Sequence, residues 1–138
     1  MGDKTRDNVN YQKRAVCVLV APLVEADILV AGSIYGVIPE RSIIKSVRVN
    51  VKTISGTSSA TLDVLAGAAV IANEVAVTVA GVIVGTDVPG ENWLATGGNI
   101  TVRSGSVSPA NGAFIGDLII EYIELDKKTG EYTQYYEA

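Results

Sequence analysis

Residues 43–53 read Ile43-Ile44-Lys45-Ser46-Val47-Arg48-Val49-Asn50-Val51-Lys52-Thr53, and this stretch decides the fold. Val47, Val49 and Val51 fall on one parity; Ser46, Arg48, Asn50 and Lys52 fall on the other. An apolar–polar alternation with a period of two describes a strand with one face in a core and the other outside. The whole chain shares this character, with twenty valines and thirteen isoleucines against eight leucines. Branched side chains are stiff at Cβ and suit a pleated, half-buried surface better than a helix.

Working outward, Pro39-Glu40-Arg41-Ser42 turns the chain into this strand, and Ser55 to Ser59 is a small polar loop after it. Residues 15–24 and 28–38 are apolar with β character and are separated by Glu25-Ala26-Asp27. A strand over Ala60 to Leu65 points Leu62 and Val64 inward and ends at Gly67. Asn73-Glu74 marks a turn before Val75, Val77 and Val79. Gly81 and Gly85 bracket a short apolar run, and Thr86 to Asn92 form a loop around Pro89-Gly90. Gly97-Gly98-Asn99 reads as a hairpin tip joining Trp93-Leu94 to Ile100 through Arg103. Residues 114–125 form the longest late strand. Asp126 to Gly130 then turn the chain so that Glu131 to Tyr136 fold back antiparallel.

No stretch offers a capped apolar stripe of period 3.6, so helix is expected to be almost absent. About eight short strands with turns every 8–12 residues predict an all-β, single-domain antiparallel β-sandwich. The Cys, Trp, Cys pattern of an immunoglobulin domain is missing, which leaves a jelly-roll-like arrangement. The expected organisation is an extended N-terminal arm over 1–14 and a sandwich over 15–138 that closes with the C-terminal hairpin.

At 138 residues and 48% hydrophobic, the chain is long enough to bury one core. Its hydrophilic opening does not read as a signal peptide. Its longest apolar run, Ala15 to Val24, is half of a membrane span. The net charge of −4 argues against a duplex-binding protein, whose footprint is basic. Neither nucleic acid nor membrane is therefore expected as a partner. The charge is uneven, however: Arg41, Lys45, Arg48 and Lys52 lie within twelve residues that hold no acid. This basic strand is either one side of a charged contact or a solvated face.

Little in the chain can do chemistry. It has no histidine and one cysteine, which excludes a Ser-His-Asp triad, a Cys-His dyad, His-based zinc sites and thiolate clusters. No phosphate-cradling Gly-rich loop precedes a helix. No enzymatic activity, metal or cofactor is expected. Cys17 lies in an apolar run and reads as a buried, inert thiol. Asp117, Glu121, Glu124 and Asp126 read as a solvated strand edge that resists edge-to-edge pairing. Trp93 reads as core rather than as a sugar-binding platform. Tyr132, Tyr135 and Tyr136 supply amphipathic rings of the kind enriched at interfaces, or else they cover their own sheet.

The segment Val37 to Thr53, the strand Thr61-Leu62-Asp63-Val64, and the later Gly98-Asn99-Ile100-Thr101-Val102 and Leu118-Ile119-Ile120-Glu121-Tyr122 together resemble small virion proteins of tailed bacteriophages. The resemblance covers about residues 34–126. It is nearest to the capsid cement, or decoration, proteins. It implies a jelly roll on the outer surface of the virion that clamps neighbouring major capsid subunits, made in the host cytoplasm. The same group includes head fibres, so the alternative it leaves open is the receptor- or glycan-binding head of a fibre. A homo-oligomer, most simply a two-fold dimer, would place Tyr132, Tyr135 and Tyr136 in a contact between copies.

Overall fold

The computed structural model describes residues 16–29, 33–86, 88, 90–109 and 114–125. Nine strands and one short helix follow in order: β1 (Cys17–Val24), α1 (Glu25–Ile28), β2 (Ile34–Ile38), β3 (Ser42–Thr53), β4 (Thr61–Ala66), β5 (Ala69–Ala76), β6 (Gly81–Val84), β7 (Trp93–Leu94), β8 (Gly98–Ser104) and β9 (Ile115–Glu124). All pairings are antiparallel. The result is a two-sheet β-sandwich.

The larger sheet runs β1-β9-β3-β6, with β7 also paired to β3, and the smaller sheet runs β2-β8-β4-β5. The pairing is nested. β1 meets β9, β2 meets β8, β3 meets β6, and β4 and β5 form a hairpin at the centre. The two sheets close on one core. Leu23, Val47, Val49, Val51, Leu118 and Ile120 come from the larger sheet, and Ile38, Leu62, Val64, Val75, Ile100 and Val102 from the smaller. Phe114, at the entrance to β9, is fully buried among them.

The expected alternation in β3 is present, with Val47, Val49 and Val51 buried and Arg48 and Lys52 outward. Two bulges interrupt it. Ile44 pairs with Tyr122 and Ser46 with Glu121, so Lys45 is an extra residue; Lys52 is extra in the same way between Val51 and Thr53. A bulge resets parity, which is how Ile44 and Val47 both reach the core.

Three local expectations are corrected. Asn73-Glu74 is not a turn: β5 runs through it with a bulge. Glu74 takes a left-handed φ of 55°, and its N–H donates to Asp63 Oδ1 at 2.9 Å instead of reversing the chain. Trp93-Leu94 and Gly98–Ser104 are not two arms of a hairpin. The first pair joins Ser42-Ile43 in the larger sheet, and the second segment enters the smaller one, so Ala95 to Gly97 carry the chain between sheets. Cys17 is only half-buried, because it opens an edge strand opposite Tyr122. Burial, and then the neighbouring Cys17 and Glu124, hold the Tyr122 hydroxyl above its ordinary 10.0.

The N-terminal arm and the C-terminal hairpin lie outside the described residues.

Candidate functional site

The outer face of the larger sheet gathers most of the residues that the sequence singles out. On β3, Ser46, Arg48, Asn50 and Lys52 project outward, and β9 runs alongside with Asp117 and Glu121 on the same face. Arg48 reaches Glu121 Oε1 at 3.9 Å, and Lys52 reaches Asp117 Oδ2 at 3.4 Å. Between them, the Ser46 hydroxyl donates to Glu121 Oε1 at 2.8 Å, and the Asn50 amide donates to Asp117 Oδ2 at 3.5 Å. The basic strand is thus half of a charge-balanced polar ladder. The acids are not on a sheet edge as expected, since β9 has β1 on one side and β3 on the other. Asp126 lies outside the described residues.

Exposed apolar side chains flank this ladder on both sides. On β1 and just before it, Val16, Val18, Val20 and Val24 are 49, 55, 63 and 43% exposed. Beyond β3, Val82 and Val84 of β6 stand opposite Asn50 and Arg48 and are also exposed. Exposed apolar side chains grouped on one face are of the kind that interaction surfaces use. The stripe on β1 is hidden in the sequence, because Ala15 to Val24 is apolar on both parities and no alternation shows.

Arg41 and Trp93 stand at one end of the face. Arg41 has a φ of 58°, donates its N–H to Ala95 O at 3.2 Å, and accepts from Leu125 N–H at 2.8 Å. Its guanidinium lies 5.7 Å from the centroid of the Trp93 ring, within cation–π range. Trp93 is 45% exposed, which corrects the expectation that it packs in the core. Trp93 lies in a two-residue strand at the margin of the sheet, and the Arg41 guanidinium, not the core, stands over its ring. Arg41, Ile43, Gly90, Asn92, Trp93 and Leu125 line a shallow hollow of about 590 Å³. Lys45 is exposed at its bulge, apart from both ion pairs. Tyr132, Tyr135 and Tyr136 lie outside the described residues.

A second polar cluster ties the smaller sheet together. Asp63 is 6% exposed, stands opposite Arg103 in the ladder, and accepts from Arg103 Nε at 3.2 Å. The Glu74 carboxylate accepts from the Ser106 N–H at 2.8 Å and the Thr61 hydroxyl at 3.1 Å. The Ser106 hydrogen bonds hold its pKa below the ordinary 4.5. A carboxyl whose folded pKa is depressed stabilises the fold above its unfolded pKa, and that contribution fades as pH falls through the folded value. Acid titration should therefore destabilise the wild type below about pH 4.5 more steeply than Glu74→Gln. Parallel thermal melts of the two proteins measure the difference; equal slopes would mean that Glu74 contributes nothing to acid unfolding.

Among the described residues, no three His, Cys, Asp or Glu side chains are grouped so as to hold a metal ion, and no helix is long and apolar enough to cross a membrane. The arrangement defines a rigid β-sandwich with a mixed polar and apolar outer face. No family model, curated protein or solved structure matches the chain.

Proposed function

We propose that the protein is a non-enzymatic virion structural protein that binds the outside of a bacteriophage capsid and stabilises contacts between major capsid subunits. The observation that carries the adhesive part of this reading is the outer face of the larger sheet, where exposed valines flank a paired polar ladder. Such a face combines apolar area with charges already neutralised in place, which lowers the desolvation cost of covering it. The capsid part rests on the resemblance of residues 34–126. The nested strand pairing supports the jelly-roll form of the fold, which is built by wrapping one long hairpin over two sheets. The partner is the major capsid protein, in a homo-oligomeric decoration layer on the outer surface of a virion made in the host cytoplasm; neither nucleic acid nor membrane takes part.

A ligand that binds assembled shells but not free subunits stabilises the shell by mass action, and many copies multiply a modest interface. Purified protein should therefore cosediment with expanded shells and not with free subunits, and imaging should find it spread evenly over the shell. Failure to bind shells overturns the capsid reading. Replacing Arg48 and Lys52 with Gln leaves Asp117 and Glu121 unpaired on the same face. If the shell surface is acidic, attachment should slow, and binding should weaken beyond the ~0–1 kcal/mol of an exposed ion pair. Unchanged occupancy across a salt series would return this face to ordinary solvated surface.

The half-exposed Trp93 favours a second reading, the receptor- or glycan-binding head of a fibre. An indole beside Arg41 and Asn92 offers an apolar platform with polar groups at its rim, and such sites hold sugar rings. Density confined to one vertex, with glycan-dependent quenching of the single Trp93, would select this reading over the cement.

A further inference from the structure

Among the described residues, the edge of β1 that faces away from β9 carries no strand, and it is unlike the other sheet margins. Its ladder to β9 runs through all eight residues, Cys17 opposite Tyr122 to Val24 opposite Ile115, with no irregularity. The Glu25 N–H continues that ladder by donating to Phe114 O at 3.1 Å. Neighbouring residues of a strand send their backbone groups to opposite sides. The odd-numbered residues therefore bond to β9, and Val16, Val18, Val20 and Pro22 turn theirs to the open side. Pro22 fits this assignment, since a proline in a sheet must face its nitrogen away from the ladder. It also ends the run of available donors. Among the described residues, Val18 and Val20, with Val16 just before the strand, thus turn N–H and C=O to a margin that no described strand covers, and their side chains are exposed valines of the outer face.

Proteins usually protect an edge with charge, a bulge or brevity. The other margins among the described residues do so: β2 is bulged between Ile34 and Gly36, β5 is bulged at Asn73-Glu74, β6 is four residues long and β7 only two. By contrast, β1 carries no charged residue from Cys17 to Val24. Strand self-pairing about a two-fold axis sets like residues near like, so a charged edge repels its own copy and an uncharged one does not.

We propose that β1 of one molecule pairs antiparallel with β1 of a second copy, joining the two larger sheets across a two-fold axis. The backbone polarity pairs even residues with even, and centring the axis on Val18 uses all three valines. Val18 stands opposite Val18 of the other copy, and Val16 opposite Val20, each as a hydrogen-bonded pair that exchanges two N–H···O bonds. On the outer face the valines of both copies close into one apolar band between the two polar ladders. The pairing goes beyond the capsid reading and stands whether or not that reading holds, because purified protein alone tests it.

Sedimentation of the wild-type protein should give a dimer. Val18→Lys puts two cations directly opposite each other and should raise the dimer dissociation constant by at least about 100-fold, with an unchanged circular dichroism spectrum. In a Cys17→Ser background, Val18→Cys places two thiols on Cα atoms about 5.5 Å apart, within disulfide reach. It should form a cross-linked dimer under mild oxidation, whereas Val84→Cys, exposed on β6 at the far side of the same face, should not. A monomeric wild type at on the order of 100 μM, where even a weak complex of micromolar affinity is populated, overturns the proposal. So does a dimer that Val18→Lys leaves intact, or equal cross-linking from position 84. Shell binding by a protein that fails these tests would leave the capsid reading standing.

Discussion

Phe114→Ala should lower the stability of the sandwich by about 3–5 kcal/mol. Phe114 is the single phenylalanine of the chain and is fully buried, in a core otherwise made of Val, Ile, Leu and Ala side chains. Its ring lies beneath Gly116, where a Cβ would stand 3.1 Å from Cζ. The position before β9 is also fixed from outside, since its carbonyl accepts from the Glu25 N–H. Truncation therefore removes the largest buried side chain from a place where the backbone is pinned and cannot collapse to refill the space. The loss combines transfer free energy with a persistent cavity. Chemical denaturation reads the effect as a shift of midpoint at constant slope. Phe114→Leu, which leaves a smaller void, should fall between wild type and alanine and remains measurable if the alanine variant does not fold. A loss under about 1 kcal/mol for Phe114→Ala would mean that the core relaxes around the site.

The strands that were legible in the sequence are those whose own residues contain the answer. In β3, between its bulges, the residues that meet the core alternate with those turned outward. In β4 the polar Asp63 separates the core residues Leu62 and Val64, although it is itself buried. The period of two is thus written in the side chains. Among the described residues helix is nearly absent, as the sequence predicts, and the helix found there, Glu25–Ile28, is a single turn where the sequence parts two apolar strands. The misreadings came where long-range pairing overrides a local signal. Asn-Glu looks like a turn, yet at Asn73-Glu74 the Asp63 carboxylate captures the Glu74 N–H and a bulge takes the place of a reversal. Two glycines between apolar pairs look like a hairpin tip, yet at Gly97-Gly98 they carry the chain from one sheet to the other.

The candidate face was legible in part for the same reason. Arg48 and Lys52 share the outer side of β3, as their parity requires. Their partners did not show, because Asp117 and Glu121 are more than sixty residues away and only the insertion of β9 between β1 and β3 brings them alongside. Alone in sequence those acids resemble edge guards; in the sheet they neutralise a neighbour. The valines of β1 gave no signal because Leu19, Ala21 and Leu23 on the inward parity are equally apolar. Hydrophobicity separates core from solvent only when the solvent side is polar, so a strand that is apolar on both faces is indistinguishable from a buried one.

Gly97→Ala should cost about 2–5 kcal/mol, more than a methyl added at the other positive-φ glycines among the described residues, because two independent penalties fall on it. The first is conformational: Gly97 has a φ of 70°, where an L side chain crowds its own backbone at about 1–2 kcal/mol. The second is steric. A Cβ there would collide with the Ile38 carbonyl and stand 2.6 Å from the Pro39 carbonyl carbon and 2.8 Å from the Glu40 nitrogen. These are backbone atoms and cannot swing aside as a side-chain tip can, so relief requires moving the end of β2 away from the start of β8. That movement would strain the pairing of Ile38 with Gly98 and the Gly67 N–H bond to Asn99 O, which together close this end of the smaller sheet. Gly90→Ala is the control. Gly90 has a φ of 86°, but its Cβ would meet nothing within 4 Å, so only the conformational penalty applies. The difference between the two variants in denaturant midpoint isolates the clash; equal losses would show that the β2–β8 junction yields freely and that Gly97 is needed for its backbone angle alone.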